Sequence, residues 1–502
     1  MPRSRKVVLF LPPYSGPIFG APVGLLSLAG SLRQAGFEPR IIDGAIDPDY
    51  RETIARELSG CACFGISLLT GPMILRAIEV SRMVKRLRPD LPVVFGGWHP
   101  TLESAQTLRE DFVDIVVRHQ GEATLLEVLR RLEAGQPLDL VAGCWFKRNR
   151  RIVQNPDRPS AALADLVPPA YDLIDFDAYE RATGERKLPY ASSIGCPYAC
   201  NYCTDMVYYN RRFNAYDAAR VASEMAELAV RHRLTEIALL DSNFLVDVHR
   251  AVAIAKGIRD SGVRFKWTFQ ASTNLLCKMS DAEVKLLAES GVYYIGFGVE
   301  SASPEVLRHM NKGHQSVSEM YDTAEKCARA GIRVTFNLIF GFPGEDARHR
   351  AETLRVVGDI ARRYDNVSFS PNLFTPYPGI PIWPDLEARG LQPPDSLAGW
   401  ARVDLGSNNL PWMSGASLRA LETSIRYILL HTRLHRARRE SRSKLVQALL
   451  DLAGAPLLWR VRHSFFAWPW ELMLAKARLV MRRSLLTGQP LSRNLARNSA
   501  KA

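Results

Sequence analysis

Residues 194–205 read IGCPYACNYCTD. Cys196, Cys200 and Cys203 stand at Cys-x3-Cys-x2-Cys spacing, just after a strand-like run, in a chain of 502 residues with eight cysteines in all. Thiolates are soft ligands suited to iron–sulfur clusters or zinc. A structural zinc site takes four protein ligands, and no further Cys or His lies within about twenty residues on either side. Three ligands on one loop leave a metal position open for chemistry.

Outward from this loop the chain alternates strand-like and helix-like runs. Strands are expected near 188–194, 236–241, 266–271, 293–299, 333–339 and 366–372, with helices such as AYDAARVASEMAELAVRH and SVSEMYDTAEKCARAG between them. Six β/α units predict most of a barrel, whose active face is the carboxyl ends of its strands. Residues 1–145 show a second alternation: KVVLFLP, then an apolar-periodic run from Pro22 to Ala35, EPRIID, CACFGISLL, a helix from about Pro72 to Arg88, and LPVVFGG. This predicts a doubly wound parallel sheet with helices on both faces. A Pro- and Asp-rich connector spans 146–186, the barrel 187–385, and a helical, irregular region 386–502.

The barrel resembles the radical S-adenosylmethionine enzymes. The resemblance implies that Cys196, Cys200 and Cys203 hold three irons of a 4Fe–4S cluster, with S-adenosylmethionine on the fourth and aromatic Tyr202 before the last cysteine. LLDSNF (239–244) falls where the family presents groups to the amino end of S-adenosylmethionine, through Asp241 and Ser242. FGVESAS (297–303) resembles the ribose-binding segment, with Glu300, and FNLIFGFPGE (336–345) the fifth-strand motif beside adenine, with Asn337, Gly341 and Pro343. Gly341, Pro343 and Gly344 are expected to let backbone approach a flat ring. FSPNLFTPYPGIPIW (369–383) resembles the sixth strand and its exit loop.

The first domain resembles the cobalamin-binding domains found ahead of such barrels. Ser67-Leu68-Leu69 precedes Gly96-Gly97 with 26 residues between, and GGWHPT is followed by GEAT at 121–124. Ser67, Leu69, Gly96 and Gly97 are the cobalamin candidates. The Asp-x-His-x-x-Gly pattern that ligates cobalt in many such domains reads Asp43-Gly44-Ala45-Ile46-Asp47 here, so no His reaches cobalt from that loop. His99 is read as a loop residue. A sheet that binds nothing is the bland alternative. A second cluster is rejected, because Cys61, Cys63 and Cys144 are the only cysteines before the connector, with Cys61 and Cys63 expected to face opposite ways and Cys63 in the core. Cys277 and Cys327 read as buried apolar residues.

The net charge is +13, and residues 431–502 carry fifteen Lys and Arg against three Asp and Glu, so nearly all of it lies in this region. Phe465, Phe466, Trp468 and Trp470 interleave with arginines there. A peripheral contact with anionic lipid is favoured over RNA, as no RNA-binding module is recognisable. Sparse cysteines suit a reducing cytoplasm, and the apolar run near the N-terminus is too short for a signal segment. No uncharged apolar run reaches the roughly 18 residues that span a bilayer.

The resemblance implies two uses of S-adenosylmethionine: one molecule methylates cob(I)alamin, and a second yields a 5′-deoxyadenosyl radical that takes hydrogen from an unactivated carbon. The methyl group then passes to a lipophilic or natural-product substrate. An electron donor such as flavodoxin or ferredoxin is implied, and no general base is named. The alternatives are an oxidative cyclase of the magnesium-protoporphyrin monomethyl ester type and a non-catalytic iron–sulfur or zinc protein.

Overall fold

The computed structural model describes residues 5–476 apart from 15, 17, 19 and 405–409. The first sheet contains β1 (Lys6–Leu11), β2 (Glu38–Asp43), β3 (Cys61–Ser67), β4 (Val93–Gly96), β5 (Ile115–Val117), β6 (Cys144–Arg148) and β7 (Arg151–Gln154), in the order β2-β1-β3-β4-β5-β6-β7. The first five pair in parallel. Their apolar runs are buried on both sides, as parallel strands require. Helices Val23–Gln34 and Glu122–Ala134 cover one face; helices Tyr50–Glu57 and Met73–Leu87 cover the other.

The sheet extends past the expected boundary at 145. β6 and β7 form an antiparallel hairpin on its edge, so residues 146–154 belong to the sheet and not to the connector. Asn149 and Arg150, both at positive φ, make the two-residue turn. Cys61 and Cys63 do face opposite cores. A regular pleat would put residues two apart on one face. The register jumps from Lys6↔Cys61 to Val7↔Cys63, and this bulge turns them apart.

The barrel strands are β8 (Lys187–Tyr190), β11 (Glu236–Leu239), β12 (Lys266–Ala271), β13 (Val292–Glu300), β14 (Arg333–Phe340) and β15 (Val367–Leu373). All are parallel, in the order β15-β14-β13-β12-β11-β8. The run expected over 188–194 is interrupted. Ser192 donates its backbone N–H to Asp241 Oδ1 at 2.8 Å instead of to a neighbouring strand. Residues Ser193–Ile194 (β9) then pair antiparallel with Asn214–Ala215 (β10).

Helix Gly415–Glu440 lies against β15, and helix Lys444–Arg462 packs on it and on helix Ala347–Arg363. Gly358 permits that approach, since a Cβ there would stand 2.7 Å from Arg462 Cβ. One part of the C-terminal region returns to the first domain. Leu397, Trp400 and Ala401 complete the core over helix Met73–Leu87, and Trp400 Nε1 donates to Gln106 Oε1 at 2.7 Å. Among the described residues no helix is long and apolar enough to cross a membrane.

Candidate active site

The cysteine loop runs from β9 to the short helix Asp205–Tyr208, beyond the carboxyl end of β8. Gly195 opens it at φ +76°, and a Cβ there would stand 2.0 Å from the Arg212 carbonyl oxygen. Cys203 N–H donates to Cys200 O at 3.2 Å, which turns the chain between the last two cysteines. The segment after β13 clamps the loop. Asn201 N–H donates to Met310 O at 3.1 Å, and Asn311 Nδ2 donates to Ala199 O at 2.7 Å. Tyr198 stacks on His314 with centroids 3.8 Å apart and accepts from Asn274 Nδ2 at 2.9 Å.

Burial pushes all three thiols up, Cys203 to about 12. A buried thiol loses its proton readily only where a positive charge stabilises the thiolate left behind, and a metal supplies that charge. The donor set is therefore the right chemistry for a thiophilic cluster. The three side chains share one loop without converging: no three His, Cys, Asp or Glu are grouped to hold a metal ion among the described residues.

The polar barrel candidates fall into two sets. Asp241, Ser242 and Cys203 line one cavity with Gln270. Asp241 is buried, and both its oxygens are engaged: Oδ1 by Ser192 N–H, Oδ2 by the hydroxyls of Ser192 and Ser193. It positions the start of the cysteine loop. Asn337 on β14 donates to Gln270 Oε1 at 3.4 Å. The second set surrounds Lys312. Its Nζ donates to Glu300 Oε1 at 3.2 Å and to Tyr202 OH at 3.1 Å. Glu300 sits at φ +62° where the β13–β14 register shifts, a buried carboxylate on a strained residue. Tyr202 meets Phe342 edge-on. Sequence reading missed Lys312 and His314; MNKGH (310–314), directly after GVES and its helix, was the available signal.

The glycines of GFPGE face protein rather than open space. A Cβ on Gly341 would stand 2.7 Å from Leu410 Cδ1, and one on Gly344 3.2 Å from His309 Nδ1. Gly341 N–H donates to Glu345 Oε2 at 2.6 Å, and its carbonyl accepts from Trp412 Nε1 at 3.0 Å. Here the close approach is to the C-terminal segment. Pro343 is buried in the same turn. Burial raises the Glu345 carboxyl to about 7.

The cavity, about 670 Å³, extends from the barrel loop into the first domain. Ser67, Gly96 and Gly97 line it, together with Gly24 and Gly65. Gly97 sits at φ +93°, and a Cβ there would come within 3.0 Å of Leu68 N and O. This slot between strand ends and helix Val23–Gln34 has small walls, which suits a cofactor's nucleotide tail. Leu69 does not join it: its side chain is 47% exposed, and its N–H points at Met73 Sδ.

Neither histidine nearby is free to bind cobalt there. His99 is buried away from the cavity against Trp400, with Nδ1 2.9 Å from Thr70 Oγ1, and burial lowers it to about 3. His119 does line the cavity, but its Nδ1 lies 2.9 Å from Tyr208 O and its Nε2 3.4 Å from Asp157. Asp43 is held by Tyr179 OH and Ala45 N–H, outside the cavity. Trp98, from the end of β4, stacks on Tyr208 with centroids 4.2 Å apart and ties the first sheet to the cysteine loop.

Two family models match the chain: the Radical SAM superfamily over residues 190–357 and the B12 binding domain over 18–129. An uncharacterized methyltransferase of Pyrococcus horikoshii is 30% identical over 391 residues, covering 76% of this chain and 83% of that one. The anaerobic magnesium-protoporphyrin IX monomethyl ester cyclase of Synechocystis is 26% identical, covering 62% and 64%. The hopanoid C-3 methylase of Methylococcus capsulatus is 24% identical, covering 72% and 68%. Among solved structures, the cobalamin-dependent radical enzyme OxsB shares the fold with a TM-score of 0.73 at 15% identity, over 91% of this chain and 72% of that one. The methyltransferase TsrM from Kitasatospora setae gives 0.64 at 20%, over 77% and 75%.

Proposed function

Because the chain belongs to the cobalamin-binding branch of the radical S-adenosylmethionine superfamily, we propose that it moves a methyl group onto an unactivated carbon of a lipophilic or natural-product substrate. Its cofactors are a 4Fe–4S cluster, S-adenosylmethionine and cobalamin. Bound together, they supply a radical that removes a hydrogen atom and a methyl group that takes its place. The protein supplies position and a site shielded from water.

The observation that carries the reading is the shared cavity: Gly97 and the small strand ends stand at one end of it, Cys203 and Ser242 at the other. Cys196, Cys200 and Cys203 would hold the cluster. Ser242, Gln270 and the Glu300–Lys312 pair supply polar groups for S-adenosylmethionine, with Asp241 bracing the loop. Ser67, Gly96 and Gly97 make room for cobalamin. The Asp43 loop, with no histidine in it, would offer no imidazole to a bound cobalamin. A flavodoxin or ferredoxin would deliver the electrons, in the cytoplasm. The lipophilic substrate class is supported by relatives named for a hopanoid and a porphyrin ester.

The test is an anaerobic preparation from cells supplied with cobalamin, assayed for iron, sulfide, cobalamin and 5′-deoxyadenosine. Four irons, one cobalamin and a methylated product are expected. Turnover without bound cobalamin would end the methyl-transfer reading. The cyclase match favours a second reading, which an oxidised product without a gained methyl group would select. Absence of 5′-deoxyadenosine would leave a non-catalytic metal protein.

A further inference from the structure

Helix Lys444–Arg462 is apolar on two opposite faces. Gly454, Leu457 and Val461 are buried on the side that meets helices Gly415–Glu440 and Ala347–Arg363. On the other side Leu445, Leu449, Leu452, Pro456 and Trp459 follow at alternating spacings of four and three, which places them on one stripe. The four large side chains of this stripe are 71, 56, 73 and 52% exposed in chain order. A helix with a second apolar face left open calls for a second apolar cover. Beyond the end of the helix, Trp468 and Trp470 are 86 and 52% exposed.

The charges around it share one sign. Asp451 and Glu471, the acidic residues of 441–476, are held by Arg438 and by Arg460 with Tyr427. Arg442 and Lys444 at one end and Lys476 at the other have no acidic partner among the described residues. Stacking two copies through this stripe would bring like charges together. Leucines flanked by tryptophans and cations match the acyl boundary and headgroup layer of an anionic bilayer. Helix Lys444–Arg462 does not qualify as a membrane span, so the geometry is in-plane.

We propose that the outer face of helix Lys444–Arg462, with Trp468 and Trp470, docks this protein flat on an anionic lipid surface. The inference is independent of the catalytic reading.

Full-length protein is floated with phosphatidylcholine vesicles containing phosphatidylglycerol and with phosphatidylcholine alone. Binding is expected to the anionic vesicles, to fall with added salt, and to drop at least tenfold in Leu449→Glu/Leu452→Glu. A milder pair, Leu445→Gln/Leu452→Gln, is expected to weaken it in the same direction. Circular dichroism and 5′-deoxyadenosine formation in solution should match the unmodified protein. No flotation of the unmodified protein overturns the proposal. So does flotation that survives both pairs but fails in Arg482→Glu/Arg483→Glu, which would place the contact in the tail. A solution dimer, or an RNA complex, that the glutamate pair dissolves would assign the face to that partner instead.

Discussion

Gly195→Ala tests whether the cysteine loop is built as described. The residue stands at φ +76°, a conformation that costs an L-residue roughly 1–2 kcal/mol. The added Cβ would also meet the Arg212 carbonyl oxygen at 2.0 Å and Tyr209 Cβ at 3.0 Å. A backbone oxygen cannot swing aside, so relief requires opening the β9–β10 hairpin with its two residue pairs. Its hydrogen bonds contribute about 1 kcal/mol each, which brings the local cost to roughly 3–4 kcal/mol. At 1.4 kcal/mol per tenfold, the native loop is depopulated by roughly 10²–10³. Gly184 supplies the control: it has the same φ of +76°, and a Cβ there meets nothing within 4 Å. Gly184→Ala therefore carries the conformational cost without the clash. The assay is iron per chain after anaerobic reconstitution, with bound cobalamin measured in the same sample. Gly195→Ala should lose iron and keep cobalamin; Gly184→Ala should keep both. Full iron and unchanged 5′-deoxyadenosine in Gly195→Ala would refute the placement of Arg212 across the loop.

Three further outcomes are expected. Gly97→Ala places a Cβ 3.0 Å from Leu68 N and O at φ +93°, so cobalamin recovered with the protein should fall sharply while iron content holds. Lys312→Met leaves the Glu300 carboxylate buried and unpaired, a loss of about 3–5 kcal/mol; denaturant titration should show Glu300→Gln/Lys312→Met recovering part of it. Glu345 is raised by burial from 4.5 to about 7, worth roughly 3 kcal/mol. Its folded pKa lies above its unfolded one, so that stability is present below pH 4.5 and is lost as pH rises through 7. Thermal melting of Glu345→Gln should match the unmodified protein near pH 5 and exceed it at pH 8. Equal melting at both pH values would show that the carboxyl does not titrate in this range.

Strand positions were legible because buried parallel strands are short apolar runs set between helices, and periodicity reports burial. Partners are another matter. The break at Ser192 is invisible locally, because the competing acceptor, Asp241, lies 49 residues on. Lys312 reads as an ordinary surface lysine after a helix; only the bulge that brings Glu300 inward makes it a buried counter-charge. The GFPGE glycines were read from conformational freedom alone, and freedom does not say which atoms approach. Leu69 illustrates the limit of motif matching: Ser67, two residues earlier, lines the cavity, while Leu69 has already turned outward. The opposite facing of Cys61 and Cys63 was expected against the rule of alternation, and only the bulge makes it so.

The connector over 155–186 lines the cavity through Leu163, Leu166, Pro169 and Tyr171, and a second set of contacts joins the two halves there directly. Trp98 leaves β4 and stacks on Tyr208 at 4.2 Å, and Tyr209 meets the same ring edge-on. Tyr208 OH donates to His119 O at 2.8 Å, while His119 Nδ1 lies 2.9 Å from Tyr208 O. These contacts join the ends of β4 and β5 directly to the helix that follows Cys203. Two hydrogen bonds and an aromatic stack fix this short helix to those strand ends. The residues that would cradle cobalamin and those that would hold the cluster are thus referenced to the same strand ends. Methyl transfer asks for such coupling, because the radical carbon and the methyl donor must meet within near-contact distance.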